Sequence, residues 1–270
     1  MKINNLASSS SGNCTHISTD TASILIDTGG PALSMKKIFA ALGHQNIDAV
    51  FITHEHGDHM GVAGPLGRKL KIPLYMHRDS YERYEHNEWF EKFAYDKKAD
   101  VNGRKPKFVD CNVKYLDPSA EYTVGDLIIK PFSTPHDSVY SVGYVVTDTT
   151  TNKKLGYLTD CGSFTKVMYD ALKDCDAYMI EADYDEQGLE DYDGYDDLHK
   201  DRLRSSLGHL SNAQTLEFLE SLGIDTAEFV MFCHLSPRTN SPEVLLKMAG
   251  EVFPEYGKFL IAPNDEVLEL

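Results

Sequence analysis

The chain has 270 residues, with 26 basic and 42 acidic side chains and a net charge of −16. Hydrophobic residues at 41% and charged residues at 25% describe a globular protein and exclude a composition-driven disordered or fibrous one. The acidity argues against charge-driven, non-specific binding of long nucleic acid, which needs Lys and Arg, but leaves room for a nuclease, because two bound divalent cations add about +4 locally.

In chain order, the first marked stretch is Ser8-Ser9-Ser10-Ser11-Gly12-Asn13-Cys14, a serine-glycine turn. Residues 23–27 (Ser-Ile-Leu-Ile-Asp) read as a buried strand, followed by Thr28-Gly29-Gly30 and a helical pattern over 34–42. A second apolar strand covers 48–53 and runs into Thr53-His54-Glu55-His56-Gly57-Asp58-His59. Residues 78–95 carry a long mixed helical signal. Beyond it, Lys97, Lys98, Arg104, Lys105 and Lys107, interleaved with Tyr95 and Phe108, form the best basic cluster and a candidate guide for a phosphate backbone. Further strands read at 127–130, 142–146, 155–159 and 229–233. Ser211-Asn212-Ala213-Gln214 is a capping box leading into Leu216, Phe218, Leu219 and Leu222, and Ser241-Pro242-Glu243 opens a helix to about Val252. Residues 183–201 hold nine carboxylates against one lysine and read as a solvated acidic loop.

Strands and helices of comparable weight in alternation predict α/β layers. No repeat, low-complexity linker or Pro/Gly-rich boundary divides the chain, so residues 1–270 are expected to form one domain. No apolar run reaches the roughly 18 residues that would span a bilayer, and the N-terminal residues lack a signal-peptide pattern. The five cysteines are widely spaced and without a CxxC pair, as expected of a reducing cytoplasm.

Several predicted strands end in a metal-type ligand: Asp27, His54, Asp160 and His234, with His136 following another through Ser133-Thr134-Pro135. Loops at such strand ends carry function in α/β proteins. Within the histidine-rich run, two histidines two apart on a turn can grip one ion through imidazole nitrogens. The aspartate and the adjacent histidine then point to a second ion beside it. Two divalent ions side by side can supply a nucleophile at neutral pH and stabilise charge on a substrate oxygen.

On these residues the sequence resembles the metallo-β-lactamase superfamily, over most of its length. The resemblance implies a four-layer αβ/βα sandwich, two mixed sheets flanked by helices, with the site at one edge. It implies that His54, His56 and His136 hold a first divalent metal, that Asp58, His59 and His234 hold a second, and that Asp160 bridges them. Asp27 would orient the histidine-rich loop. The familiar zinc β-lactamases place a cysteine where Asp160 stands. A carboxylate there looks like the hydrolase, phosphodiesterase and nuclease branches. Leu207-Gly208-His209-Leu210-Ser211 and His234-Leu235-Ser236-Pro237-Arg238 resemble turns of the tRNA 3′-processing nucleases. With Glu181-Ala182-Asp183-Tyr184-Asp185 and the Ser-Gly-Asn-Cys turn, the chain is similar to the YycJ (WalJ) group of metallo-hydrolases. That group implies exonuclease action on DNA, 5′-to-3′ on duplex ends. Only 24 positions separate His136 from Asp160 and 74 separate Asp160 from His234, which leaves no room for the separate β-CASP domain of some relatives.

The expected activity is therefore dinuclear metal-dependent phosphodiester hydrolysis, with DNA ahead of RNA as substrate and no membrane partner. Asp58 and Asp160 would act through the metals, and His209 would assist the leaving oxygen. Arg238 offers a planar fork for phosphate, and Ser236 and Asn13 are the other candidate substrate contacts. Zinc or manganese suits the donors, and iron also fits. The oligomeric state stays open between monomer and homodimer. The alternative is a small-molecule phosphodiesterase or another ester or thioester hydrolase of the same fold. A non-enzymatic scaffold and a diiron redox protein are weaker rivals: every ligand is present, and no flavodoxin-like domain follows. His16, His44, His77, His86 and His199 lack a partner pattern and read as structural or surface residues. Cys161 and Cys233 adjoin ligands, but strand alternation points neighbours to opposite faces.

Overall fold

The structure is a computed structural model that describes residues 1–30, 33–43, 46–86, 108–263 and 266–270. Period-two patterning builds its layers. In β3 (Ser23–Ile26), Ile24 and Ile26 point to one core and Leu25 to another, and all three are fully buried. Burying a side chain of that size contributes about 1.5–3 kcal/mol. A strand with both faces apolar needs cover on both sides.

Two seven-stranded mixed sheets provide it among the described residues. The first pairs β14 (Leu268–Glu269), β1 (Lys2–Ala7), β2 (Cys14–Ser18), β3, β4 (Ala49–Phe51), β5 (Pro73–His77) and β6 (Asn112–Leu116), in that order. The second pairs β13 (Phe259–Ile261), β12 (Val230–Cys233), β11 (Ala177–Glu181), β10 (Lys153–Leu158), β9 (Ser141–Asp148), β8 (Leu127–Thr134) and β7 (Tyr122–Val124). Ile3, Ile17, Ile24, Ile26 and Phe51 of the first sheet meet Leu127, Ile129, Tyr144, Tyr157, Met179 and Met231 of the second in a shared core. Outside the first sheet, α1 (Met35–Leu42), the short α2 (Gly57–Met60) and α3 (Ala63–Leu70) cover Leu25, Val50 and Leu74 with Ile38, Leu42, Met60 and Leu66. Outside the second, α5 (Lys166–Leu172), α8 (Asn212–Leu222) and α9 (Pro242–Val252) cover Leu158, Ile180 and Phe232 with Met168, Leu216, Leu219 and Leu245. This is the four-layer sandwich that the resemblance implied.

Strand direction places the site. β3 and β4 are parallel. β10, β11 and β12 are mutually parallel, and β8 runs with them because both flank β9 in antiparallel fashion. The C-terminal ends of the four strands in the second sheet therefore share one edge. Val142 N–H donates to the Thr53 carbonyl at 3.1 Å, which ties the corresponding edge of the first sheet to it.

All six predicted strands are present, with β8 and β9 extending beyond the expected residues. Ser34 and Ser241 cap α1 and α9, and the capping box of Ser211 and Gln214 opens α8. Of the helix expected over 78–95, α4 (Arg78–His86) is described and the remainder lies outside the described residues. So do the basic cluster, apart from Phe108, which packs against Tyr81 and Tyr84, and His44.

The expected acidic loop is a correction. It contains α6 (Glu186–Asp191) and α7 (Asp197–Arg204), because Asp185 and Asp196 each accept a backbone N–H as N-caps. Arg204 pairs with Glu186 and Glu190. His16 is buried against Ser23, and burial pulls its ring down to about 4. His77 stacks on Tyr140 with ring centres 3.7 Å apart. The five cysteines are unpaired. Among the described residues, no helix is long and apolar enough to cross a membrane.

Candidate metal centre

Residues at six strand ends converge. Asp27 follows β3, His54 follows β4 at a short remove, and His136 follows β8. Asp160 follows β10, Glu181 closes β11 and His234 follows β12. Asp27, Asp160 and His234 adopt left-handed backbone (φ 59°, 51° and 55°). Non-glycine residues hold that conformation at a cost, and such strain gathers at functional sites. Here it turns three strands sharply enough to aim their last side chains inward.

Three groups of donor atoms arise among the described residues, each with all members within 4.8 Å of one another. His54, His56, His136 and Asp160 make the first, and Asp58, His59, Asp160 and His234 the second. Asp160, Glu181, His209 and His234 make the third. Every ligand position implied by the resemblance falls into the first two groups, and Asp160 belongs to all three.

The histidines are oriented from behind. Thr53 donates its N–H (2.8 Å) and hydroxyl (2.9 Å) to Asp27. Its oxygen therefore accepts from His54 Nδ1 at 3.0 Å. His59 Nδ1 donates to Asp27 at 2.7 Å, and His136 Nδ1 donates to the Gly208 carbonyl at 3.0 Å. His234 Nδ1 lies 3.2 Å from Glu181, and its backbone N–H donates to the Ser8 hydroxyl at 2.7 Å. The Nε2 atoms of His54, His59, His136 and His234 then face Asp160 at 3.3, 3.1, 3.6 and 3.3 Å. His54 Nε2 and His234 Nε2 are buried without a hydrogen-bond partner, as is His234 Nδ1 despite the nearby Glu181 carboxylate. Buried polar atoms are nearly always satisfied, so the orphaned nitrogens and the imidazole–carboxylate donor set fit a divalent cation.

The electrostatics follow from burial and charge. Burial, together with His59 and His56, holds His54 well below the usual imidazole range. Burial likewise brings His136 down to about 4 against the pull of Asp160. For His59 and His234, burial is overcome by the surrounding carboxylates, Asp160 foremost, and both rings are raised. Burial also opposes ionisation of Asp160, but His234, His59 and His54 keep its carboxyl well below the ordinary range. Cations bound at this centre would compete with the protons on His59 and His234.

Asp27 is fully buried, and its contacts with Thr53 and His59 are the ones expected of a residue that orients ligands. Partners of this kind typically set metal affinity by 10–100-fold. Asp27→Asn should therefore weaken metal binding by about that factor in a chelator competition. Unchanged affinity would remove Asp27 from this role.

Other candidates sit as follows. Asn13 is buried, and its amide nitrogen lies 3.0 Å from His59 Nε2 and 3.4 Å from Asp58, so the Ser-Gly-Asn-Cys turn braces the second ligand group. Ser236 is buried, and its hydroxyl accepts the Arg238 N–H at 3.4 Å. Arg238 is exposed and donates to the Tyr195 hydroxyl at 3.2 Å. Cys161 turns its sulfur into the helix-covered core, 3.0 Å from the Ser163 carbonyl.

His209 is joined to the centre by Glu181. Its Nδ1 lies 2.6 Å from Glu181 Oε1, and its ring stacks on His234 with centres 5.1 Å apart. Although burial opposes protonation, Glu181 and Asp183 raise His209 to about 9. Burial, helped by the Glu181 and Asp160 carboxylates, pushes Asp183 up to about 6 despite His209 and His234. Glycine is required at position 208, where a Cβ would run into the carbonyl oxygens of Arg202 and Leu203. Thr53, Glu181 and Asp137 were not assigned roles from the sequence. Glu181 had a legible signal: like Asp27 and Asp160, it is an acid closing an apolar run. Asp137 lies 3.3 Å from His136 Nε2 and accepts from Arg202 Nε at 2.6 Å.

Comparison with known proteins places the chain as follows. A beta-lactamase superfamily domain matches residues 22–235. The chain is 32% identical over 246 residues to the exodeoxyribonuclease WalJ of Streptococcus pneumoniae, covering 88% of this chain and 83% of that protein. It is 26% identical over 255 residues to the exodeoxyribonuclease YycJ of Bacillus anthracis, covering 93% and 89%. Among solved structures, the metallo-beta-lactamase fold protein YhfI of Bacillus subtilis superposes with a TM-score of 0.70 at 21% identity, covering 99% of both chains.

Proposed function

The chain belongs to the beta-lactamase superfamily, and from that premise we propose that it is a dinuclear metal-dependent phosphodiester hydrolase acting as a DNA exonuclease. The observation that carries this is the Glu181–His209 pair beside the two ligand groups that share Asp160. A sugar alkoxide is a poor leaving group and needs a proton, and a positioned acid contributes about 10²–10⁴-fold. His209, its Nδ1 fixed on Glu181, is in place to give one.

His54, His56 and His136 would hold one cation, Asp58, His59 and His234 the other, and Asp160 both. Zinc or manganese suits these donors, and iron also fits. Bound there, the pair would supply Lewis acidity and a nucleophile at neutral pH. The protein's own part is to fix the imidazoles through Asp27, Thr53, Gly208 and Glu181, and to deliver the proton from His209. Arg238, four residues after His234, would take part of the phosphate charge. The relatives named as exodeoxyribonucleases support DNA over RNA, and the resemblance supports digestion from 5′ ends. One observation favours a second reading: the net charge of −16 suits a small diester better than a polymer.

The test uses metal-stripped protein reloaded with Mn or Zn. It is offered 5′-labelled duplex DNA, single-stranded DNA and bis-p-nitrophenyl phosphate in parallel. Metal-dependent release of mononucleotides is expected, with the label reporting direction. Turnover of the small diester with DNA untouched would replace the proposal by the second reading.

A further inference from the structure

The acidic stretch carries aromatic rings as well as carboxylates, and they cluster with Arg238. Tyr195 and His199 stack with ring centres 4.1 Å apart and planes 22° from parallel. Tyr192 packs edge-on against Tyr195 at 4.7 Å. The Arg238 guanidinium lies 5.8 Å from the Tyr195 ring centre while donating to its hydroxyl. Tyr192, Tyr195 and His199 are half-buried and Arg238 is exposed, so the cluster meets solvent. No carboxylate lies within ion-pair distance of Arg238 among the described residues.

The cluster is anchored to the centre on both sides. Arg238 stands four residues after His234, in the turn whose Ser236 N–H donates to the Asp183 carbonyl. His199 stands three residues before Arg202 on α7, hence on the same helix face. Arg202 binds Asp137, which lies 3.3 Å from His136 Nε2 and 3.9 Å from His56 Nε2. The last turn of α7 also holds the His209 loop, through His209 N–H donating to the Leu203 carbonyl at 2.9 Å. Meanwhile Asp185 and Asp196 are engaged as helix caps, and Glu186 and Glu190 by Arg204. The surface tied to the centre thus combines a half-buried aromatic stack with the exposed Arg238 guanidinium, inside a segment whose composition alone reads as repelling a polyanion.

We propose that Tyr192, Tyr195 and His199, braced by Arg238, form a nucleobase-stacking subsite that receives a base flanking the scissile phosphate. The inference rests on the nuclease reading and deepens it. Every base has a π face, so stacking on aromatic side chains with an arginine beside them holds single-stranded nucleic acid without demanding a sequence. A chain as acidic as this one gains the affinity that phosphate contacts alone would not provide.

The experiment compares the wild type with Tyr195→Ala, Tyr195→Phe and His199→Ala, in two assays. In the first, quenching of 2-aminopurine at the end of a single-stranded oligonucleotide is titrated with metal-free protein in chelator, which requires no catalysis. In the second, KM and kcat are measured with metal-loaded protein on DNA ending in a base or in an abasic residue. Loss of one stacked base corresponds to about 5- to 150-fold. Tyr195→Ala and His199→Ala should weaken quenching and raise KM by a factor in that range, with the loss in KM rather than kcat. Tyr195→Phe, which keeps the ring and removes only the hydroxyl that accepts from Arg238, should lose less than Tyr195→Ala, and wild type and variants should converge on the abasic substrate. Unchanged quenching and KM in both alanine variants, or an equal loss on abasic DNA, would overturn the subsite. If the wild type degrades no DNA, the nuclease reading fails, and the quenching assay still decides for or against stacking.

Discussion

Replacing Asp160 is expected to lower DNA hydrolysis by at least about a thousandfold, some 4 kcal/mol of transition-state stabilisation, while the chain stays folded. The reason is its position. Oδ2 faces Nε2 of His54, His59 and His136, and Oδ1 faces Nε2 of His234. It is the single residue common to all three donor groups found among the described residues. Its removal leaves imidazoles around a buried space with the central anion gone, so the proposed pair of cations would be weakened together. Metal content by plasma mass spectrometry should fall to one ion per chain or fewer. The choice of substitution matters, because Asp160 sits at φ 51°. Asparagine tolerates left-handed backbone better than alanine. Asp160→Asn therefore isolates the loss of charge, and Asp160→Ala adds backbone strain. Activity within about tenfold of wild type in Asp160→Asn, at full metal content, would rule out the shared-ligand assignment.

His209 is expected to matter only where a proton must be delivered. His209→Asn should reduce DNA cleavage by about 10²–10⁴-fold and leave bis-p-nitrophenyl phosphate hydrolysis within about tenfold, because p-nitrophenolate departs without protonation. Glu181→Gln should follow the same pattern, since it removes the carboxylate 2.6 Å from His209 Nδ1. It should also weaken metal binding, because Glu181 lies 3.2 Å from His234 Nδ1 as well. Assays at saturating metal separate these two effects. Equal losses on both substrates would make His209 a structural support of the centre instead of its proton donor.

The acidic segment over 183–201 shows how composition can mislead. Nine carboxylates in nineteen positions read as a solvated loop that would repel a polyanion. Folded, Asp185 and Asp196 become helix caps, Asp183 is buried near His234, and Arg204 is paired with Glu186 and Glu190. Arg202 reaches the centre through Asp137, and His199 on the same helix stacks on Tyr195. Charge counting along a chain does not reveal direction, and direction decides what a ligand meets.

The layered α/β class, the six apolar strands and the candidate donors were legible in the sequence. Those follow from short-range rules: apolar runs bounded by turns, capping residues, and imidazole and carboxylate side chains at spacings that chelation requires. It also carried Asp27, because an acid closing an apolar strand is a local pattern. Glu181 obeys the same pattern and could have been assigned on it. The tertiary structure alone decided three things. It decided which donor atoms come within 4.8 Å of one another, because the C-terminal ends of strands far apart in sequence meet only once β8, β10, β11 and β12 are aligned in one sheet. It decided that Asp27, Asp160 and His234 take left-handed backbone, a local strain that only the surrounding packing can hold in place. And it decided that Thr53, Gly208 and Glu181 stand behind the histidines. Each imidazole has two nitrogens, and which one faces inward depends on an acceptor that no spacing along the chain can name.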